Sequence, residues 1–322
     1  MAEQYLILKN ISINNANAIA GFTYGFPAVT HFLGYVHALS RKLQQSYDIR
    51  LDDVGIMCHQ HQVHIYRDNQ YEPYFFALTR NPITDPKSIG KFIKDGTPQS
   101  IVEEGRMHLT VSLVIKASGI NIVSEQIRDE QCAAIKALAE RHKLAGGRIT
   151  SIDSCELAKS DCHKAILRRL LPGFVLRERS DLLADKNKQS GNSLGNWLDF
   201  SALKFSATDE PLNDLDESGK VKWEKVAKPK GYLVPIQIGY KQIAPTYSAG
   251  EVAHVRDNQT PVSFVEPVHS IGEWVGSPSR LESLQDIMWQ YHYHVPFYVC
   301  STQQVSENTA SLQNIQSNSG MI

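Results

Sequence analysis

The stretch from Tyr5 to Leu43 constrains the chain most. Residues 5–11 alternate apolar and polar side chains between Asn residues, the pattern of a half-buried strand. Residues 14–27 are polar and then aromatic. Beyond them Phe32, Leu33, Val36, Leu39 and Leu43 recur at helical spacing, with Thr30 placed to cap the helix. Gly34 lies inside that helix and costs about 1 kcal/mol relative to Ala, so it is expected to mark close approach of a backbone or ligand.

The loop between strand and helix carries chemistry of its own. Asn14, Asn15 and Asn17 offer uncharged donors and acceptors, and Phe22, Tyr24 and Phe26 offer flat rings. Amides beside aromatics suit single-stranded RNA, whose unstacked bases are stacked upon and read at their edges. An ordinary β–α loop with its aromatics tucked into the core has the same composition.

Further along, residues 54–66 read as a strand with a hairpin partner at 74–78, and residues 107–115 read as another strand. An amphipathic helix follows over 124–142, with Ile127, Ala134, Ile135 and Leu138 on one face. Gly146 and Gly147 then make a turn, either a phosphate cradle or a helix exit into the next strand. The order strand–helix–strand–strand–helix–strand is that of the ferredoxin-like, RNA-recognition fold. Later elements are a helix over 193–205, a buried strand over 231–240, a helix over 279–292 carrying Leu281, Leu284, Ile287, Met288 and Tyr291, and a closing strand over 295–300. Residues 83–100 read as an exposed insertion, 207–230 as a flexible loop, and 303–322, rich in Gln, Ser and Asn, as a disordered tail.

Charge is local. The formal net charge is −1, yet residues 141–179 hold nine Lys and Arg against four acids. A basic helix beside a sheet is either an electrostatic footprint for nucleic acid or a solvated face. Five Cys without a C-x-x-C spacing fit a reducing compartment rather than a disulfide framework. Cys58, His59, His61 and His64 would need all four side chains to converge for a zinc site, and a strand sends them to opposite faces. No metal or cofactor is therefore expected. Glu103, Glu104, Arg106 and His108 cluster before a strand, but adjacent carboxylates there point apart. There is no Walker motif and no G-x-S-x-G. Neither a signal peptide nor a membrane span is legible.

Several blocks resemble one family. They are T-Y-G-F-P (23–27), F-L-G-Y-V-H-A-L-x-R (32–41), D-D-V-G-I-M-C-H (52–59), F-A-L-T-R-N-P (76–82), the run at 101–113, A-I-L-R-R-L-L-P-G-F (165–174), and G-E-W at 272–274. Together they resemble the Cas five-f family, the second Csy subunit of type I-F CRISPR surveillance complexes. The resemblance implies an α+β protein: a ferredoxin-like, RNA-recognition-type palm with an inserted thumb and a C-terminal extension. The palm would occupy 1–178 and 231–302, with a helical and flexible insertion at 179–230 and a tail at 303–322. It implies a non-catalytic, cytoplasmic subunit that grips the 5′ handle of the guide RNA, pairs with the large Csy subunit and contacts the adjacent backbone Csy subunit. It leaves room for a contact with target double-stranded DNA. On that reading Asn14, Asn17 and Tyr24 touch handle bases, and Arg80, Asn81, Arg106, Arg168 and Arg169 hold phosphates. The competing readings are a repeat-RNA endonuclease using His31, His37 or His108, and an adaptor without RNA.

Overall fold

The computed structural model describes residues 4–80, 86–96, 103–120, 124–159, 163–207, 223–255, 257–276, 281 and 283–302. Eleven strands form one antiparallel sheet: β1 (Gln4–Asn17), β2 (Arg50–Val63), β3 (Arg106–Ser118), β4 (Lys143–Leu144), β5 (Gly147–Ser151), β6 (Ser154–Lys159), β7 (Phe174–Glu178), β8 (Tyr232–Gln242), β9 (Val265–Val275), β10 (Met288–His294) and β11 (Phe297–Ser301). Among the described residues six α-helices accompany them: α1 (Val29–Tyr47), α2 (Pro86–Asp95), α3 (Glu125–Ala139), α4 (His163–Arg169), α5 (Ser180–Gln189) and α6 (Ser193–Asp199).

The spatial order is β4-β5-β1-β3-β2-β7-β9-β8-β11-β10, with β6 also on β1. β2 then shares one edge between two partners: Met57 and Cys58 pair with β7, while Val54 and Gly55 pair with β10. The strands β2, β7, β9, β8, β11 and β10 thus close into a ring. Trp289 is fully buried within it, and its indole N–H donates to the Leu176 carbonyl at 3.1 Å.

β1 keeps its alternation over 14 residues because it is bulged twice, between Leu8 and Ile11 and between Ile13 and Ala16. Asn10 and Asn15 take the left-handed backbone at these points, φ 49° and 56°. Asn tolerates that conformation better than most residues. Leu6, Leu8, Ile11, Ile13 and Ala16 therefore all face one core. Met107, Leu109, Val111, Leu113 and Ile115 of β3 join them, and α1 covers them with Phe32, Leu33, Val36, Leu39 and Leu43. Each such large side chain contributes about 1.5–3 kcal/mol on burial. The Tyr35 hydroxyl donates to Ala139 O at 3.2 Å, tying α1 to α3 on this face. Asp48 ends α1 in the left-handed region, and Gly119 lies so close to its carbonyl that a Cβ there would stand 2.2 Å away.

Some sequence expectations need correction. Thr30 lies inside α1; the helix is capped by Ala28 without a side-chain bond. Gly34 is exposed, and a Cβ on it would meet nothing within 4 Å. The helix expected over 279–292 is one 3-10 turn, Leu284–Ile287, followed by β10. The helix expected over 193–205 stops at Asp199. Ile127, placed on the apolar face of α3, is exposed. The loop of 207–230 is pinned at both ends by a two-stranded pairing of Phe205–Ala207 with Trp223–Lys225; residues 208–222 and the tail at 303–322 lie outside the described residues. Gly146 sits in the tight turn between β4 and β5. No helix among the described residues is long and apolar enough to cross a membrane.

Candidate nucleic-acid interface

The face of the sheet opposite α1 has two halves. Toward the start of β1 it is apolar: Tyr5, Ile7, Met57 and Val114 pack under Ile166 and Leu167 of α4 and under Leu284 and Ile287. Toward the end of β1 the same face is polar and open. Asn14 stands opposite Arg148, Ser12 and Gln60 each opposite Thr110, and Gln62 opposite His108. Asn14, Gln60, Gln62, Arg148 and Thr150 are exposed, and Ser12, His108 and Thr110 half-buried. Side chains here alternate with core residues on the same strands, so every second position is polar. An open surface of amides, hydroxyls and one imidazole can accept from and donate to base edges.

The basic helix meets this surface at its margin. Arg168 and Arg169 end α4 and are both exposed; Arg169 lies 3.9 Å from Glu156. The chain then runs to Pro172, whose carbonyl lies 2.6 Å from His59 Nδ1. His59 Nε2 lies 2.6 Å from the Ser112 hydroxyl, which accepts the Asn10 N–H at 2.9 Å. Asn10 Nδ2 in turn donates to Asp153 at 2.8 Å. A continuous hydrogen-bonded row therefore separates the covered half from the open half.

The residues proposed from sequence fare differently. Asn14, Arg168 and Arg169 are exposed on or beside the open half. Asn17 bonds within its own turn. Its amide donates to Ile19 O at 2.7 Å and accepts from Ile19 N at 3.1 Å, closing the chain reversal after β1. Tyr24 is stacked on Phe76, ring centroids 3.7 Å apart, and lies against Gly105. Its ring is a packing element at the root of the next hairpin. Arg106 is ion-paired with Glu104 and donates to Asn15 O at 3.3 Å. Arg80 closes a short strand, Thr79–Arg80, paired with Glu103–Glu104; Asn81 lies outside the described residues. Gln60, Gln62, Thr110 and Arg148 escape a reading of the sequence by motif. Their signal is the alternation of β3 and β5, where Leu109, Val111 and Ile149 are buried between His108, Thr110, Arg148 and Thr150; in β2 a register shift between Cys58 and Gln60 hides it.

The three candidate histidines do not come together. His31 and His37 belong to α1, on the opposite side of the sheet from His108. His31 is held below its ordinary pKa by burial. His108 instead meets His64, ring centroids 4.6 Å apart, and accepts the Asn15 N–H at 3.4 Å. Burial lowers the pKa of His64, and neighbouring His108 lowers it further. The zinc quartet also disperses: Cys58 is in the core, His59 bonds to Pro172 and Ser112, and His61 is exposed. Among the described residues no group of three or more His, Cys, Asp or Glu could hold a metal ion.

A second surface is apolar. The hairpin pairing Ile65–Tyr66 with Phe75–Phe76 exposes Tyr66, Tyr71, Tyr74, Phe75 and Phe76, and α2 exposes Ile89, Phe92 and Ile93. The Arg67 guanidinium lies 4.5 Å over the Tyr74 ring. Exposed aromatic and aliphatic side chains in such number are a feature of protein docking surfaces.

The family model of the CRISPR-associated protein Csy2 matches residues 6–300. The chain is also 34% identical over 312 residues to CRISPR-associated protein Csy2 of Pseudomonas aeruginosa (strain UCBPP-PA14), covering 90% of this chain and 92% of that relative. The open polar face, the basic helix at its margin and the ring of strands thus sit in a chain that belongs to the Csy2 family, the second Csy subunit of type I-F CRISPR systems.

Proposed function

We propose that this chain is a non-catalytic subunit of a type I-F CRISPR surveillance complex that holds the 5′ handle of the guide RNA on the open half of its sheet. The observation that carries this reading is the division of one sheet face into a covered apolar half and an open polar half, with Arg168 and Arg169 at the boundary. Asn14, Gln60, Gln62 and His108 supply base-edge contacts, and Arg148, Arg168 and Arg169 supply phosphate contacts. The order β6-β1-β3-β2, with α1 and α3 on the far face, supports a ferredoxin-like palm. The aromatic hairpin and α2 supply the surface for pairing with the large Csy subunit. Target sequence is then read by the guide, and the protein reads the handle and its shape, a logic shared with other guided effectors.

Co-purification tests it. The chain is expressed with its large partner in cells making a repeat-derived guide, and the ends of the bound RNA are sequenced. Intact RNA with a uniform 5′ handle is the expected result. A stable protein pair without RNA would replace this reading with an adaptor, and freshly cut repeat ends from the chain alone would replace it with a nuclease.

A further inference from the structure

Three aromatic rings occupy the loop after β1, and only one is open. Phe26 packs between Phe32 and Trp274, and Tyr24 is stacked on Phe76. Phe22, at the tip of the hairpin pairing Ile19–Ala20 with Thr23–Tyr24, is 84% exposed. A single exposed Phe means little by itself. This one is stacked from behind. Its ring stacks on the His269 imidazole, centroids 5.4 Å apart and planes 27° apart, and its own N–H donates to His269 Nε2 at 3.2 Å. Trp197 backs the imidazole at 5.2 Å, and its indole N–H is anchored on Ser270 O at 3.0 Å. Gly21 presses so close to His269 that a Cβ would lie 2.5 Å from Nε2, and its φ of +57° favours glycine. Thr23 Oγ1 closes the turn on Ala20 O at 2.8 Å. The result is a cluster of three rings, Phe22 stacked on His269 and Trp197 tilted against it, in which Phe22 is left open to solvent.

We infer that the outer face of Phe22 is a stacking platform for one unpaired base of the bound RNA, supported from behind by His269 and Trp197. This rests on the RNA-binding reading above. An aromatic face stacked from behind takes a base of any identity, because every base has a π-face, and the contact with His269 lowers the cost of ordering the ring. The hairpin leaves the sheet where the polar face ends: Asn17 is paired with Arg106, and Ala18 N donates to Gly105 O at 2.9 Å. Asn14 and Asn15, near the end of β1, are exposed. Phe22 is thus carried on the turn that begins where the polar end of β1 stops. A protein occupant is less well matched, because the apolar surface suited to protein lies on the hairpin of residues 65–76 and on α2.

The test uses the full chain with whatever proteins co-purify with it, and a fluorescein-labelled single-stranded RNA bearing the repeat-derived 5′ end. Phe22→Ala should weaken binding by roughly 5- to 150-fold, Phe22→Trp should retain it, and the salt slope should not change. Scanning abasic nucleotides through the RNA should find one position where removing the base costs the parent protein as much as Phe22→Ala and costs the Ala variant little more. Parent-like affinity of Phe22→Ala, with RNA still bound by both, overturns the platform alone. Loss of a co-purifying protein with RNA affinity intact also overturns it, in favour of a protein contact. Absence of RNA binding by the parent defeats the RNA reading itself, and the platform with it.

Discussion

The His59 imidazole bridges the Pro172 carbonyl and the Ser112 hydroxyl, 2.6 Å from each. With Nδ1–H donating to Pro172, Nε2 accepts from Ser112, whose oxygen accepts the Asn10 N–H. One side chain thus fixes the exit of α4 to the centre of the sheet. Ser112 is fully buried, so removing the ring leaves its hydroxyl with one partner fewer. His59→Ala should destabilise the chain by about 1–3 kcal/mol. Urea unfolding checks this, and a double cycle with Ser112→Ala should recover part of the loss as coupling. Strict additivity of the two variants would mean that the bridge carries no energy.

Gly34→Ala should stabilise. The position is an exposed helix interior, and an added Cβ meets nothing within 4 Å. Ala there gains about 0.5–1 kcal/mol, which a thermal melt resolves as a rise of a few degrees or less. A lower melting temperature would show that the helix is not formed as described. If stability rises while assembly with partner proteins fails, the glycine serves close approach in the complex rather than in the monomer.

How far the sequence could be read depends on where each segment's decisive contacts lie. The first β–α unit was legible because its strand and helix patterns are local and unambiguous. The bulges were not. Asn10 and Asn15 look like polar interruptions until pairing with β3 shows that each resets the alternation. The segment at 281–291 misled for the opposite reason. Leu281, Leu284, Ile287 and Met288 do share one core, as helical spacing suggests, but a 3-10 turn and a strand deliver them there. The aromatic alternation of Trp289, Tyr291 and Tyr293 is strand chemistry, and pairing of β10 with β2 and β11 decided the conformation. At the candidate site the loop residues drew attention and the strand residues did not. Asn17 bonds within its own turn and Tyr24 stacks within its hairpin, whereas Gln60, Gln62 and Thr110 look ordinary until two paired strands place them side by side.

Stability should fall on mild acidification. His31, His64, His142 and His269 are all held below the ordinary imidazole pKa, chiefly by burial. The Lys42 charge adds to the effect at His142, and the Ala20 carbonyl opposes it at His269. A base with a depressed folded pKa binds fewer protons folded than unfolded over that interval. Its stabilisation is complete above the unfolded value of about 6.5 and is lost as pH falls through the lowered folded values. The melting temperature should be flat from about pH 8 to 7 and decline below about 6.5. The Asp199 carboxyl, lowered first by Lys186 and then by Lys204, contributes only at more acid pH, below the ordinary carboxylate range, so the two limbs separate. Rising stability between about pH 6.5 and 5 would contradict the buried placement of these rings.

The double variant Arg168→Ala, Arg169→Ala separates an electrostatic role for α4 from a structural one. Both guanidinium groups are exposed, and the ion pair of Arg169 with Glu156, at 3.9 Å, is solvent-screened. Such pairs contribute about 0–1 kcal/mol, so unfolding midpoints should scarcely move. The core contacts of the helix come from Ile166 and Leu167, which the variant leaves alone. If the arginines hold phosphates, each contact removed lowers the dependence of log affinity on log salt by about 0.7 for a single strand. The double variant should therefore bind a single-stranded guide RNA more weakly at low salt, with a slope shallower by about 1.4, and the gap to the parent should narrow as salt rises. Unchanged slope with reduced affinity would assign the two residues to shape rather than charge. Unchanged slope and unchanged affinity would leave α4 as a lid over the apolar half of the sheet, with the RNA held by the open face alone.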